Sequence, residues 1–263
     1  MSVFDDETAI ESVGDGQWTG TVHESWNIGE NPNGGYLLAL VMGAMETLGP
    51  HRDPLSITTH YLRPGTPGEC CDISAEIVRS GRTLTTMRGG LAQQGKQRIE
   101  VLAAFGDLSA PSEIDSELSV SPPEVPPPDQ CPQRSGAEQG VALPLLSRLD
   151  TRIHPDFARG GAAGRAEMTG WIRFGDGRQP DTRSLAMFAD SFPPSLFSLL
   201  GVIGWVPTIE LTVHVRRRPA PGWILGHFVT TDLQDGRMIE DGTLWDDAGM
   251  LVARSRQIGL LLN

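Results

Sequence analysis

The feature that most constrains this chain is an internal repeat. The run Ser56-Ile57-Thr58-Thr59-His60-Tyr61-Leu62-Arg63-Pro64-Gly65 returns in outline as Thr208-Ile209-Glu210-Leu211-Thr212-Val213-His214-Val215-Arg216-Arg217-Arg218-Pro219. Each copy is a β-rich strand holding one His, followed by Arg and a Pro/Gly turn. Gly81-Arg82 and Gly236-Arg237 follow downstream, and each predicts a hairpin with a strand on either side. Upstream, Gly34 to Leu48 predicts a helix, with Asn33 as its N-cap and Gly49-Pro50 as its end. The counterpart runs from about Ser184 to Leu200, where Pro193-Pro194 forces a kink or a restart. The order helix, strand, strand, strand therefore occurs twice. In Tyr36-Leu37-Leu38-Ala39-Leu40-Val41-Met42 apolar residues face every direction, as in a helix buried on all sides. An antiparallel sheet wrapped around a long helix would need such a sequence. Period-2 alternation in Trp171-Ile172-Arg173-Phe174 and Val213-His214-Val215-Arg216 supplies the matching half-buried strands.

A length of 263 residues sits between one domain and two, and the repeat decides for two. Between Asp107 and Gln139 the chain is rich in proline, with Pro122, Pro123, Pro126, Pro127, Pro128 and Pro132, and poor in large apolar residues. Such a stretch reads as a semi-rigid connector. The expected organisation is a unit over 1–108, a connector over 109–142 and a unit over 143–263. With 33 acidic against 21 basic residues the net charge is −12, which argues against a nucleic-acid partner. The acidic start Met1-Ser2-Val3-Phe4-Asp5-Asp6-Glu7 does not resemble a signal peptide. The apolar runs Gly34–Met45 and Leu196–Ile209 are shorter than the ~20 residues of a membrane helix, so no membrane span is expected. Three cysteines, two of them adjacent, make a poor disulfide framework and a poor zinc site. The expectation is a soluble, cytoplasmic protein without metal.

A buried helix opening in Gly-Gly, then His-Tyr-Leu-Arg-Pro-Gly, then a Gly-Arg hairpin resembles the acyl-CoA thioesterase II (TesB-like) family. The resemblance runs from about Trp18 to Leu262 and is most specific at Phe188-Ala189-Asp190, at Thr208-Ile209 and in the final strand Leu251–Gly259. It implies an α+β double hotdog: two tandem domains, each an antiparallel sheet wrapped around a central helix. It also implies hydrolysis of acyl-CoA without a cofactor. The family's catalytic Asp, Thr and Gln fall on Asp190, Thr208 and Gln257. Two departures concern the substrate: Tyr36 stands where many relatives carry Gln, and Ser191-Phe192-Pro193-Pro194 follows the Asp. Fused hotdog proteins commonly pair further, so a homodimer or higher homo-oligomer is an open expectation.

Thioester hydrolysis needs an activated water, a stabilised oxyanion and a dry slot for the acyl chain. Asp190 lies in the apolar stretch Leu185–Ala189, where desolvation makes a carboxylate a better base. Thr208 and Gln257 could hold a water beside it; as isolated residues they read equally as a strand Thr and a solvated Gln. The Gly34-Gly35 step offers free N–H groups at a helix start for an oxyanion, or simply permits close packing. Tyr36 is grouped with them as substrate-binding. Arg216 and Arg217, in the run to Arg218, could meet coenzyme A phosphates or could be solvated edge charge. His60 and His214 hold equivalent repeat positions and read as structural. Two other functions compete. One is a non-catalytic acyl-CoA-binding protein; the other is an enoyl-CoA hydratase of the same fold, which uses an Asp with a His a few residues later. No His occurs in 191–195, no Gly-x-Ser-x-Gly elbow is present, and no Gly-x-Gly-x-x-Gly follows a strand.

Overall fold

Asn33 ends the extended segment before it by turning its side chain back onto the chain. Its Oδ1 accepts the Tyr36 N–H at 2.9 Å, and the fifteen-residue helix α1 (Gly34–Leu48) follows. The computed structural model describes residues 2–110 and 117–262. Residues 111–116 of the predicted connector, and both chain ends, lie outside them.

Among the described residues twelve strands form one antiparallel sheet, and strands of its first half pack on this helix. The first half supplies β1 (Glu11–Gly14), β2 (Gln17–Thr21), β3 (Asp53–Tyr61), β4 (Cys70–Ser80), β5 (Thr85–Gln93) and β6 (Lys96–Gly106). The second supplies β7 (Leu149–Ile153), β8 (Glu167–Phe174), β9 (Thr208–Val215), β10 (Ile224–Gln234), β11 (Arg237–Trp245) and β12 (Leu251–Leu260). Their order across the sheet is β1-β2-β4-β5-β6-β3-β9-β12-β11-β10-β8-β7. Every strand of the first half thus has its counterpart six strands later, and the halves meet where β3 pairs with β9. There Thr58 lies opposite Thr212, with the two hydroxyls 3.0 Å apart, while His60 faces Glu210 and Ser56 faces His214. These pairings are those of a local two-fold axis through the Thr58–Thr212 pair, and the two histidines are equivalent, 154 residues apart like the threonines.

Each half holds a fourth strand after its helix: β12 is the final strand expected over Leu251–Gly259, and β6 is its counterpart in the first half. β5 and β6 join at Gln94-Gly95 (φ 54° and 68°), and β10 and β11 at Asp235-Gly236 (φ 48° and 74°). Two consecutive left-handed residues make the tight hairpin turn whose twist matches the strands. The second helical stretch breaks as its prolines require. Helix α2 (Thr182–Phe188) opens with a reciprocal Asp181/Ser184 cap, and Pro193-Pro194 separate it from a single turn at Phe197–Leu200. Asp190 falls in the gap.

The core is α1 packed against α2 and both halves of the sheet. Leu38, Leu40, Val41, Met42 and Met45 are wholly buried on the first helix, and Leu185, Met187 and Phe188 on the second. Each such side chain contributes roughly 1.5–3 kcal/mol of apolar transfer. The proline-rich segment is strapped to the second half rather than spanning free space. The indoles of Trp245 and Trp171 donate to the carbonyls of Val120 (2.7 Å) and Pro126 (2.9 Å). Residues 132–134 then run beside β7, with Ile153 N–H donating to Pro132 at 2.9 Å and Arg134 N–H to Thr151 at 2.8 Å.

Candidate active site

Asp190 is held across the molecule by the start of α1. Gly35 N–H donates to its Oδ2 at 2.8 Å, and the Asn33 amide donates to Oδ2 at 3.0 Å and to the Asp190 carbonyl at 2.7 Å. The positive end of a fifteen-residue helix therefore faces a carboxylate. The approach is possible only because two glycines stand there. A Cβ on Gly35 would lie 2.8 Å from the Met187 backbone, and one on Gly34 would lie 3.0 Å from Asp190 Oδ2 and 2.6 Å from the Tyr61 ring. Burial nevertheless outweighs these donors and pushes the Asp190 carboxyl up from 3.8 to about 6.

The sheet brings the other two polar residues to the same place. A bulge between Thr208 and Glu210 re-aims the first residue of β9, opposite Gly259 on β12. Thr208 Oγ1 lies 2.9 Å from Gln257 Oε1 and 3.4 Å from Asp190 Oδ1. Its one proton goes to the shorter contact, with the carboxylate as a second acceptor. Gln257 is oriented from behind: its Nε2 donates at 2.6 Å to Glu240, its direct cross-strand partner on β11. Glu240 also accepts the Ser195 N–H at 2.7 Å, and burial pushes its carboxyl upward. With the amide nitrogen fixed on Glu240, Gln257 has only its oxygen to present toward Thr208.

Asp190, Thr208 and Gln257 all line one cleft that opens to solvent. Its walls are largely apolar, including Ile28, Leu37, Phe192, Phe228 and Met238. Tyr61 also lines it, packed over Gly34, with a buried hydroxyl that has no partner among the described residues. The two-fold counterparts of Thr208 and Gln257, 154 residues earlier, are Pro54 and Ala103. Neither of these two side chains can hydrogen-bond a water.

Three expectations need correcting. Gly34 lines the cleft, but the Gly35 N–H is engaged by Asp190 and is not a free oxyanion donor. Tyr36 points into the core: it is wholly buried, stacks on Trp26 (centroids 5.2 Å) and touches no part of the cleft. Its hydroxyl faces the carbonyls of Glu7 (2.7 Å) and Thr21 (3.2 Å) and accepts the His23 N–H at 3.1 Å. Tyr36→Phe is expected to cost about 1–3 kcal/mol in urea unfolding, because it strands buried backbone groups. Arg216 and Arg217 lie at the wrong end of β9. At ~3.3 Å per strand residue they are roughly 25 Å from Thr208. Arg217 pairs with Glu117 at 2.6 Å, and Arg218 makes a two-pronged pair with Asp53 at 2.8 Å. The arginines that do line the cleft are Arg63 and Arg134.

Asn33, Glu240, Tyr61 and Arg134 join the site without having been expected there. Asn33 was recognised only as a cap, and Glu240 carries no local signal. A strand pairing places it beside Gln257.

Comparison with known proteins gives a consistent picture. The family profile described as acyl-CoA thioesterase C-terminal domain matches residues 126–261, and that described as acyl-CoA thioesterase N-terminal domain matches residues 22–107. A crystal structure assigned as a thioesterase II from Thermobifida fusca is 28% identical, with a TM-score of 0.87 over 100% of this chain and 98% of the other. The acyl-CoA thioesterase II TesB2 of Mycobacterium marinum shares the fold at 21% identity and a TM-score of 0.76, covering 99% and 98%. The uncharacterised protein Rv0499 of Mycobacterium tuberculosis is 25% identical over 92% of this chain and 90% of its own length.

Proposed function

Because the chain belongs to the TesB-like acyl-CoA thioesterase family, with the double hotdog fold of its structural relatives, we propose that it hydrolyses fatty acyl-CoA to free acid and coenzyme A at the Asp190 cleft. The observation that carries this reading is the convergence of a raised-pKa carboxylate, a hydroxyl and an oriented amide on one apolar cleft. A water donating one proton to Asp190 Oδ1 and the other to the oxygen of Gln257 keeps a lone pair free for the thioester carbon. As its oxygen bonds to that carbon, its proton passes to Asp190. The C–S bond then breaks, and the protonated Asp190 returns the proton to the departing thiolate. Acid and thiol leave, and the carboxylate is restored. The thioester oxygen carries the negative charge in between.

This mechanism needs no histidine, and none lines the cleft among the described residues. Free-thiol release across acyl-CoAs of two to eighteen carbons tests it directly. The expected pH profile of kcat/KM has an acid limb with a midpoint near 6, since protonation of Asp190 removes the base. Tight acyl-CoA binding with no thiol release at any chain length would instead identify a non-catalytic binding protein.

A further inference from the structure

Arg134 comes from the proline-rich segment, yet it lines the catalytic cleft and is only 5% exposed. A guanidinium removed from water is normally matched by a carboxylate. Here its Nη1 donates to the Ser191 carbonyl at 2.6 Å and its Nε to the neutral Gln139 amide. No carboxylate lies within ion-pair distance of it among the described residues, and Nη2 has no protein acceptor although it is not sealed off. Burial accordingly works against its charge with no opposing anion. Arg134 and Gln139 also form the partition between the cleft and a second cavity. The guanidinium thus holds the carbonyl of the residue that follows the Asp190 base, and lines the cleft with two to three N–H groups that have no protein acceptor among the described residues.

We propose that Arg134 is the receptor for a carboxylate carried at the far end of the acyl group, which makes ω-carboxyacyl thioesters the preferred substrates. This rests on the thioesterase reading above. A carboxylate suits the position better than a phosphate of the carrier. One guanidinium neutralises one carboxylate and can meet it with two parallel bonds. A doubly charged phosphate would be left uncompensated in a cleft that already holds Asp190 and Glu240. Position agrees: the exposed cation on the cleft wall is Arg63, whose guanidinium makes a single bond to the Gln97 carbonyl. A plain alkanoyl chain would leave Arg134 unmatched, and a site built for a polar group rejects the analogue that lacks it.

The test compares adipoyl-CoA with hexanoyl-CoA, and suberoyl-CoA with octanoyl-CoA, each corrected for spontaneous hydrolysis. Wild type is expected to show kcat/KM at least about tenfold higher for the diacid thioester of each pair. In Arg134→Met that ratio is expected to fall by at least about tenfold, and Arg134→Lys to lie between. The ratio is measured within one preparation, so lost folded protein cancels. If Arg134→Met does not fold, wild type alone still decides. Adipate must then raise its thermal midpoint more than hexanoate at equal concentration. Alkanoyl thioesters hydrolysed as well as or better than their diacid partners, or an unchanged ratio in Arg134→Met, would overturn the proposal while leaving the hydrolase reading intact. No thiol release from either series would overturn the hydrolase reading itself.

Discussion

Asp190→Asn is expected to lower kcat for thiol release by about 10²–10⁴ and, at pH 8, to raise rather than lower the thermal midpoint. The loss follows from removing the base. The gain follows from linkage. The folded protein holds Asp190 near 6 against an ordinary value of 3.8, so between those values the native state keeps a proton that the unfolded chain has released. Stability therefore falls as pH rises through that window and stays lower above it. The penalty on the charged form at neutral pH is at most about 3 kcal/mol. Asparagine has no such penalty, and its carbonyl can still accept from Gly35 and Asn33. The stability difference between the two proteins should vanish below pH 4. A merely structural Asp would give the opposite pairing, with lost stability at pH 8 and activity lost only in proportion to folded protein. Circular dichroism melts at pH 4, 6 and 8, beside thiol release, separate the two.

Much of this arrangement was legible before any coordinates. The repeat around His60 and His214 carries the two-fold axis, because a constant spacing of 154 residues fixes both halves of the β3–β9 pairing. Pro193-Pro194 announced the break in the second helix, and Asp190 sits among buried residues in that break. Tyr36 misled for a physical reason. A residue at the start of a helix can face the ligand or the core, and apolar residues on every side of this helix leave the direction undetermined. The arginine run misled for a simpler one. Thr208 and Arg216 occupy opposite ends of one strand, and an extended strand does not bring its ends together. Glu240 and Arg134 were beyond local reading altogether. One reaches the site through a cross-strand pairing and the other through a loop folded back on the second half. Their buried charge becomes informative only when their partners are known.

Gly35→Ala probes the junction on which the whole site depends. The added Cβ would lie 2.8 Å from both Cα and the carbonyl oxygen of Met187 and 3.1 Å from Asp190 Cβ. Backbone in the close-packed core cannot swing aside as a side-chain tip can, so α1 and the end of α2 must separate. Overpacking of this kind costs about 1–3 kcal/mol, read as a fall in the urea midpoint. The functional effect should be larger in proportion. Separation lengthens the 2.8 Å bond from Gly35 N–H to Asp190 Oδ2 and misplaces the carboxylate against Thr208 and Gln257. A displacement near 1 Å can cost about 10² in rate. The pH profile supplies the decisive sign. That N–H favours the ionised carboxylate, so weakening it raises the Asp190 pKa, and the acid limb should move from near 6 to higher pH. If Gly35→Ala lowered activity with the midpoint of the limb unmoved, the helix start would be packing against Asp190 without setting its charge.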